Sequence, residues 1–144
     1  MMARSLEFEE LVSALKDEHG GVKRRLAELG DVVAARKYAK ASELVPGLCD
    51  ALRQHIIDEE AKVLKVIIDA YGRERAGEAI RIAQRHRVVH RKIEEMEKLA
   101  ARTPGMLGPR VVELRGLLEE HFKDEEERMF PLALEAYRGK TKGR

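Results

Sequence analysis

The sequence of 144 residues contains no tryptophan and no asparagine, and it has a single cysteine, Cys49. Three Phe and three Tyr make up its 4% of aromatic residues, too few for a surface on which nucleic-acid bases stack. One thiol cannot close a disulfide within the chain, so a reducing, cytoplasmic setting is the expectation. No apolar run approaches the ~20 residues of a membrane span, and the opening stretch, acidic after Arg4, lacks the apolar core of a secretory signal. Neither sign of charge dominates. Lys and Arg number 28 against 26 Asp and Glu, for a net charge of +2, and no basic stripe is present to track a phosphate backbone. No nucleic-acid or membrane partner is therefore expected. Gln54 and Gln84 are the only side-chain amides, a bias shared with heat-stable proteins. What remains is 44% apolar and 38% charged, the mixture of two-faced helices rather than of a disordered chain. The length suits one domain.

Apolar spacing is helical almost throughout. A first stripe runs Leu11, Leu15, His19, Val22, Leu26, Leu29 in steps of four and three. Ser5 is its expected N-cap and Gly30 its expected stop. Gly20 and Gly21 fall inside it, either as tolerated weak points or to keep bulk away from His19. A second stripe runs Leu44, Leu48, Leu52, His55, Glu59, Val63, Val66, Ala70, and a third Ala79, Ala83, His86, His90, Ile93. The fourth runs Leu114, Leu118, His121, Glu125, Met129, Leu132, Ala136, behind Pro109 at an expected first helical position. The fold class that follows is all-α, an up-down antiparallel four-helix bundle over residues 1–138, with a flexible basic tail at 139–144. Residues Asp31 to Glu43 are expected to form an extra helical segment, or the start of a second helix kinked at Pro46 and Gly47.

The chain also repeats itself. His55-Ile-Ile-Asp-Glu59-Glu60 resembles His121-Phe-Lys-Asp-Glu125-Glu126, and His19 with Val22 and Leu26 resembles His86 with Val89 and Ile93. The molecule therefore reads as two helical hairpins of one design.

All five His lie on apolar stripes. A stripe covers ~100° of a helix, so a His falls there by chance about three times in ten, and all five do so roughly once in several hundred. Their height along the bundle is the stronger signal. Eleven residues separate His19 from Gly30, nine separate Pro46 from His55, thirteen separate Arg73 from His86, and twelve separate Pro109 from His121. Each distance is about 12 residues, or ~18 Å of helix, which puts one His of every helix at a common level halfway along the bundle.

Five imidazoles and two carboxylates buried together would be costly without a partner, and a metal supplies one. The pairs His55/Glu59, His86/His90 and His121/Glu125, four residues apart, each offer two ligands from one helix face. Imidazole nitrogen with bridging carboxylate suits iron, manganese or zinc. The seven ligands exceed the needs of one tetrahedral zinc and fit two metals that share both Glu, with a position left open for a small ligand. The alternatives are a single-metal zinc site and a structural or partner-binding bundle without metal. The Glu-x-x-His motif of ferritin-like di-iron enzymes is missing, since Lys16, Leu52, Ala83, Arg87 and Leu118 stand three residues before the five His. So is the His-Glu-x-x-His of metalloproteases. Glu60 and Glu126 are expected as exposed neighbours or as groups that orient ligands.

The ordered set of one His, His-x-x-x-Glu, His with a second His four on, and His-x-x-x-Glu, from about Leu11 to Tyr137, resembles the hemerythrin-like, or HHE cation-binding, domain. The resemblance implies two iron ions. His19 and His55 would hold one, and His86, His90 and His121 the other. Glu59 and Glu125 would bridge them together with an oxo or hydroxo group. Leu15, Val22, Leu52 and Leu118, one turn from ligands, would form a dry pocket for dioxygen or a small anion. The resemblance further implies a binding or sensing protein rather than a catalyst, with peroxide or nitric-oxide scavenging as a possible chemistry. One departure stands out. The oxygen-carrying members have Asp five residues after the last helix's His, where this chain has Glu126, and the better-phased ligand here is Glu125.

Overall fold

The computed structural model describes the backbone of residues 2–142 and the side chains of residues 7–139. It is helical, with no strand among the described residues. Four arms run up and down. The first is α1 (Met2–Ala34). The second joins α2 (Tyr38–Asp58), a π-helical turn (Glu59–Leu64) and α3 (Lys65–Arg75). The third is α4 (Gly77–Gln84) followed by α5 (His86–Arg102). The fourth joins α6 (Leu107–Asp124), a second π-helical turn (Glu125–Met129) and α7 (Phe130–Lys142).

The ends of the arms differ from the sequence expectation in instructive ways. α1 begins ahead of Ser5 and runs through Gly30 to Ala34. It stops in a Schellman turn, in which Lys37 N–H donates to the Val32 carbonyl (3.0 Å) and Arg36 N–H to that of Val33 (2.9 Å). Arg36 takes the left-handed conformation such a turn needs, with φ 60°. Residues Asp31 to Glu43 therefore make no separate helix: they finish α1, turn, and start α2, which carries Pro46 in its interior. Gly30 packs against the fourth arm instead of ending the first, and a Cβ there would lie 3.7 Å from Val111. Near the end of the second arm, within α3, φ of 78° and ψ of 164° at Gly72 break the helix, a conformation natural to glycine. The fourth arm starts at Leu107, so Pro109 is its third residue. α7 continues through residues 139–142 of the expected tail, and residues 143–144 lie outside the described ones.

α1 packs along α2 and α6, and α5 along the same two, which makes a four-sided bundle at that end. At the other end α3 and α7 pack directly on each other, with α1 against α7 and α4 against α3. Two apolar cores result. One contains Leu26, Leu48, Leu52, Ile93, Leu114 and Leu118. The other contains Val12, Leu15, Ile67, Ile82, Met129 and Ala133. Between them lies a layer of buried polar side chains.

Candidate metal centre

That layer consists of His19, His55, Glu59, His86, His121 and Glu125, each no more than 2% exposed. The histidines share one level although the helix ends are shifted, because the displacements on the two sides of the turn nearly cancel. From Arg36 it is 17 residues back to His19 and 19 forward to His55. His55 and His121 sit one turn before the ends of α2 and α6, and each is followed four residues later by the Glu that opens a π-helical turn. An extra residue in a helical turn re-aims the side chains around it, and such turns recur at functional sites. His86 opens α5 immediately after the break at Arg85.

The six side chains divide into two groups of four that share both carboxylates. His19, His55, Glu59 and Glu125 each bring one donor atom within 4.8 Å of the others, and so do Glu59, His86, His121 and Glu125. The carboxylates are turned so that each shows one oxygen to each pair of imidazoles. Glu59 Oε2 lies 3.2 Å from His55 Nε2 and 3.6 Å from His19 Nε2, while its Oε1 lies 3.3 Å from His86 Nε2. Glu125 Oε1 lies 3.1 Å from His19 Nε2, while its Oε2 lies 3.2 Å from His121 Nε2 and 3.4 Å from His86 Nε2.

Outside this ring, carboxylates hold the far nitrogens of three imidazoles. His19 Nδ1 donates to Glu126 (2.7 Å), His55 Nδ1 to Glu18 (2.8 Å) and His86 Nδ1 to Glu60 (2.7 Å). An ionised carboxylate only accepts, so each contact places the proton on Nδ1 and leaves Nε2 to face the centre. Phe122 stacks on the His19 ring with centroids 3.9 Å apart.

The inward atoms have no hydrogen-bond partner. Nε2 of all four His and both oxygens of Glu59 and Glu125 are buried and unsatisfied. Nine-tenths of buried polar groups in proteins are paired, and an orphan costs ~1–3 kcal/mol. Eight converging orphans of metal-ligand type mark a candidate cation site. Donors bound to one ion at ~2.1 Å stand ~3.0–3.4 Å from one another, and the spacings above fall largely in that range. The donor set fits a pair of cations.

Without a cation, protons take over part of the role. Burial by itself would depress His19 and His86, but Glu125 and Glu59 outweigh it, holding His19 at about 9 and His86 at about 10. His55 is raised in the same way by Glu59 and Glu18. Burial would raise Glu125, yet His121, His19 and His86 bring it well below the ordinary carboxylate range.

His90 lies in neither group. It is half-buried, one turn (~5.4 Å) farther along α5 than His86, and the second pair is made by His86 and His121 without it. Of the apolar residues expected around the site, Leu52 and Leu118 line a crevice too narrow to hold a water molecule, beside His55, Glu59, His86 and His121. Val22 lines an outer cleft with Glu18 and His55. Leu15 packs in the core on the other side of the site. Glu18 and Phe122 went unread in the sequence. Glu18 looks like any surface acid, and Phe122 looks like one more core residue.

The model of the hemerythrin HHE cation-binding domain matches residues 10–133. No curated protein and no solved structure matches the chain significantly.

Proposed function

The chain belongs to the hemerythrin HHE cation-binding domain family, and from that premise we propose that it is a non-haem di-iron protein that binds or senses dioxygen or a related small ligand in the cytoplasm. One observation carries the reading: Glu59 and Glu125 each present one oxygen to His19/His55 and one to His86/His121. A carboxylate so placed could hold a cation on each oxygen. Each position would offer a cation two imidazoles and two carboxylate oxygens, and an iron of higher coordination number would have room for a small ligand. Iron held there supplies redox-active, Lewis-acidic chemistry toward diatomic molecules and small anions.

The protein's own residues set the terms of that binding. Glu126, Glu18 and Glu60 fix three imidazoles with Nε2 inward. Leu52, Leu118, Ile56 and Val89 line the crevice against the site, and their apolar side chains disfavour water there. Anaerobic loading with ferrous iron followed by dioxygen or azide is the test. A charge-transfer band that reverses when the ligand is removed is the expected result. Irreversible oxidation without a band would replace sensing with scavenging or storage, and no bound metal would leave a purely structural bundle.

A further inference from the structure

The two halves of the site are related by the internal repeat, and the relation fails at one place. His19 corresponds to His86, His55 to His121, Glu59 to Glu125 and Glu60 to Glu126. The outer contacts of His19 and His86 follow the repeat: His19 Nδ1 meets Glu126, and His86 Nδ1 meets Glu60, both at 2.7 Å. The contact of His55 does not. Its Nδ1 meets Glu18, the residue before His19. The residue before His86 is Arg85, whose guanidinium pairs with Asp124. His121 Nδ1 is buried with no hydrogen-bond partner.

From this asymmetry we propose that the two cation positions differ in affinity, that the His19/His55 position is the tighter, and that Glu18 is the positioning residue that makes it so. A carboxylate on the outer nitrogen of a ligating imidazole fixes its tautomer and orientation and makes it a stronger donor, and removing such a partner typically weakens binding 10–100-fold. The first position has that support on both imidazoles, from Glu126 and Glu18. The second has it on His86 alone. Where the repeat would place a second carboxylate, it carries a cationic side chain already committed to Asp124. The break between α4 and α5 falls at this same Arg85. At sub-saturating metal the molecule is therefore singly loaded, and the second position reports the free cation concentration.

The inference rests on the two-cation reading, and one experiment separates their failures. Co2+ is added stepwise to the metal-free protein in competition with a chelator, and the visible absorbance is followed. Two steps separated by about 10–100-fold are expected. Glu18→Ala leaves His55 Nδ1 without its carboxylate, as His121 Nδ1 is already, and should bring the first step down to the second. Glu18→Gln, which still accepts but carries no charge, should fall between. The double change Arg85→Glu with Asp124→Asn should raise the second step toward the first. Two indistinguishable steps in the unaltered protein, or steps unmoved by Glu18→Ala, would overturn the inequality and leave the two-cation site standing. No Co2+ binding at all would overturn the site itself.

Discussion

Glu59 and Glu125 are the residues common to both donor groups at the centre. Glu59→Ala or Glu125→Ala should lower bound iron from two per chain to one or none, as read by elemental analysis; two irons retained in both variants would remove the bridging role. The imidazoles set the response to pH. An unperturbed His titrates near 6.5, whereas His19 stands at about 9 and His86 at about 10 in the metal-free fold. The folded state therefore keeps protons that the unfolded chain has lost. That stabilisation is complete below about pH 6.5 and disappears as pH rises through 9 and 10. The metal-free protein should melt lower at pH 10 than at pH 7; an unchanged midpoint would contradict the pairing. A cation must displace these protons, so loading at pH 7 should acidify a weakly buffered solution, and acid should weaken binding. At this scale the sequence was informative for the imidazoles and the two inner Glu, because a polar residue on an apolar stripe is conspicuous. Glu18 is half exposed on the outer face of α1, so it shows no such contrast.

The helices carry signs of both accommodation and compromise. Arg36 holds φ of 60° at the turn after α1, a conformation that costs a residue with a Cβ ~1–2 kcal/mol. Arg36→Gly relieves it, against the extra entropy glycine has when unfolded. The net should be a gain of roughly 0.5–1 kcal/mol, seen as a melting point higher by about 3 °C; a fall would show that the side chain holds the turn in some other way. The pair of glycines beside His19 tells the opposite story. Beyond its chain neighbours and the helix's own backbone, a Cβ on Gly20 would meet nothing closer than 3.5 Å, and that atom belongs to the flexible side chain of Arg24. Space beside His19 is thus not what these glycines supply, and Gly20→Ala should gain up to ~1 kcal/mol. Helix existence was legible from periodicity, but helix ends were not. Gly30 and Pro46 read as punctuation, and both are absorbed into long helices by packing: Gly30 by its contact with Val111, Pro46 by a helix that buries Val45 and Leu48 on either side of it. The π-helical turns at Glu59 and Glu125 leave no mark in a pattern of steps of three and four.

For the whole molecule, the arrangement is two apolar cores with a polar layer sealed between them. No helix among the described residues is long and apolar enough to cross a membrane. The lack of Asn, with only two Gln and many ion pairs such as Arg53–Glu97 and Arg138–Glu9, predicts a melting midpoint above the ~45–65 °C usual for mesophile domains; a metal-loaded midpoint inside that range would count against it. Metal and fold should also support each other, since a cation bound only by the folded chain stabilises it in proportion to its affinity. The central claim is that the polar layer is a two-metal site. Anaerobic loading with ferrous iron, removal of the excess and a metal count per chain test it most directly. The account predicts two irons per chain. One iron, or none, would contradict it.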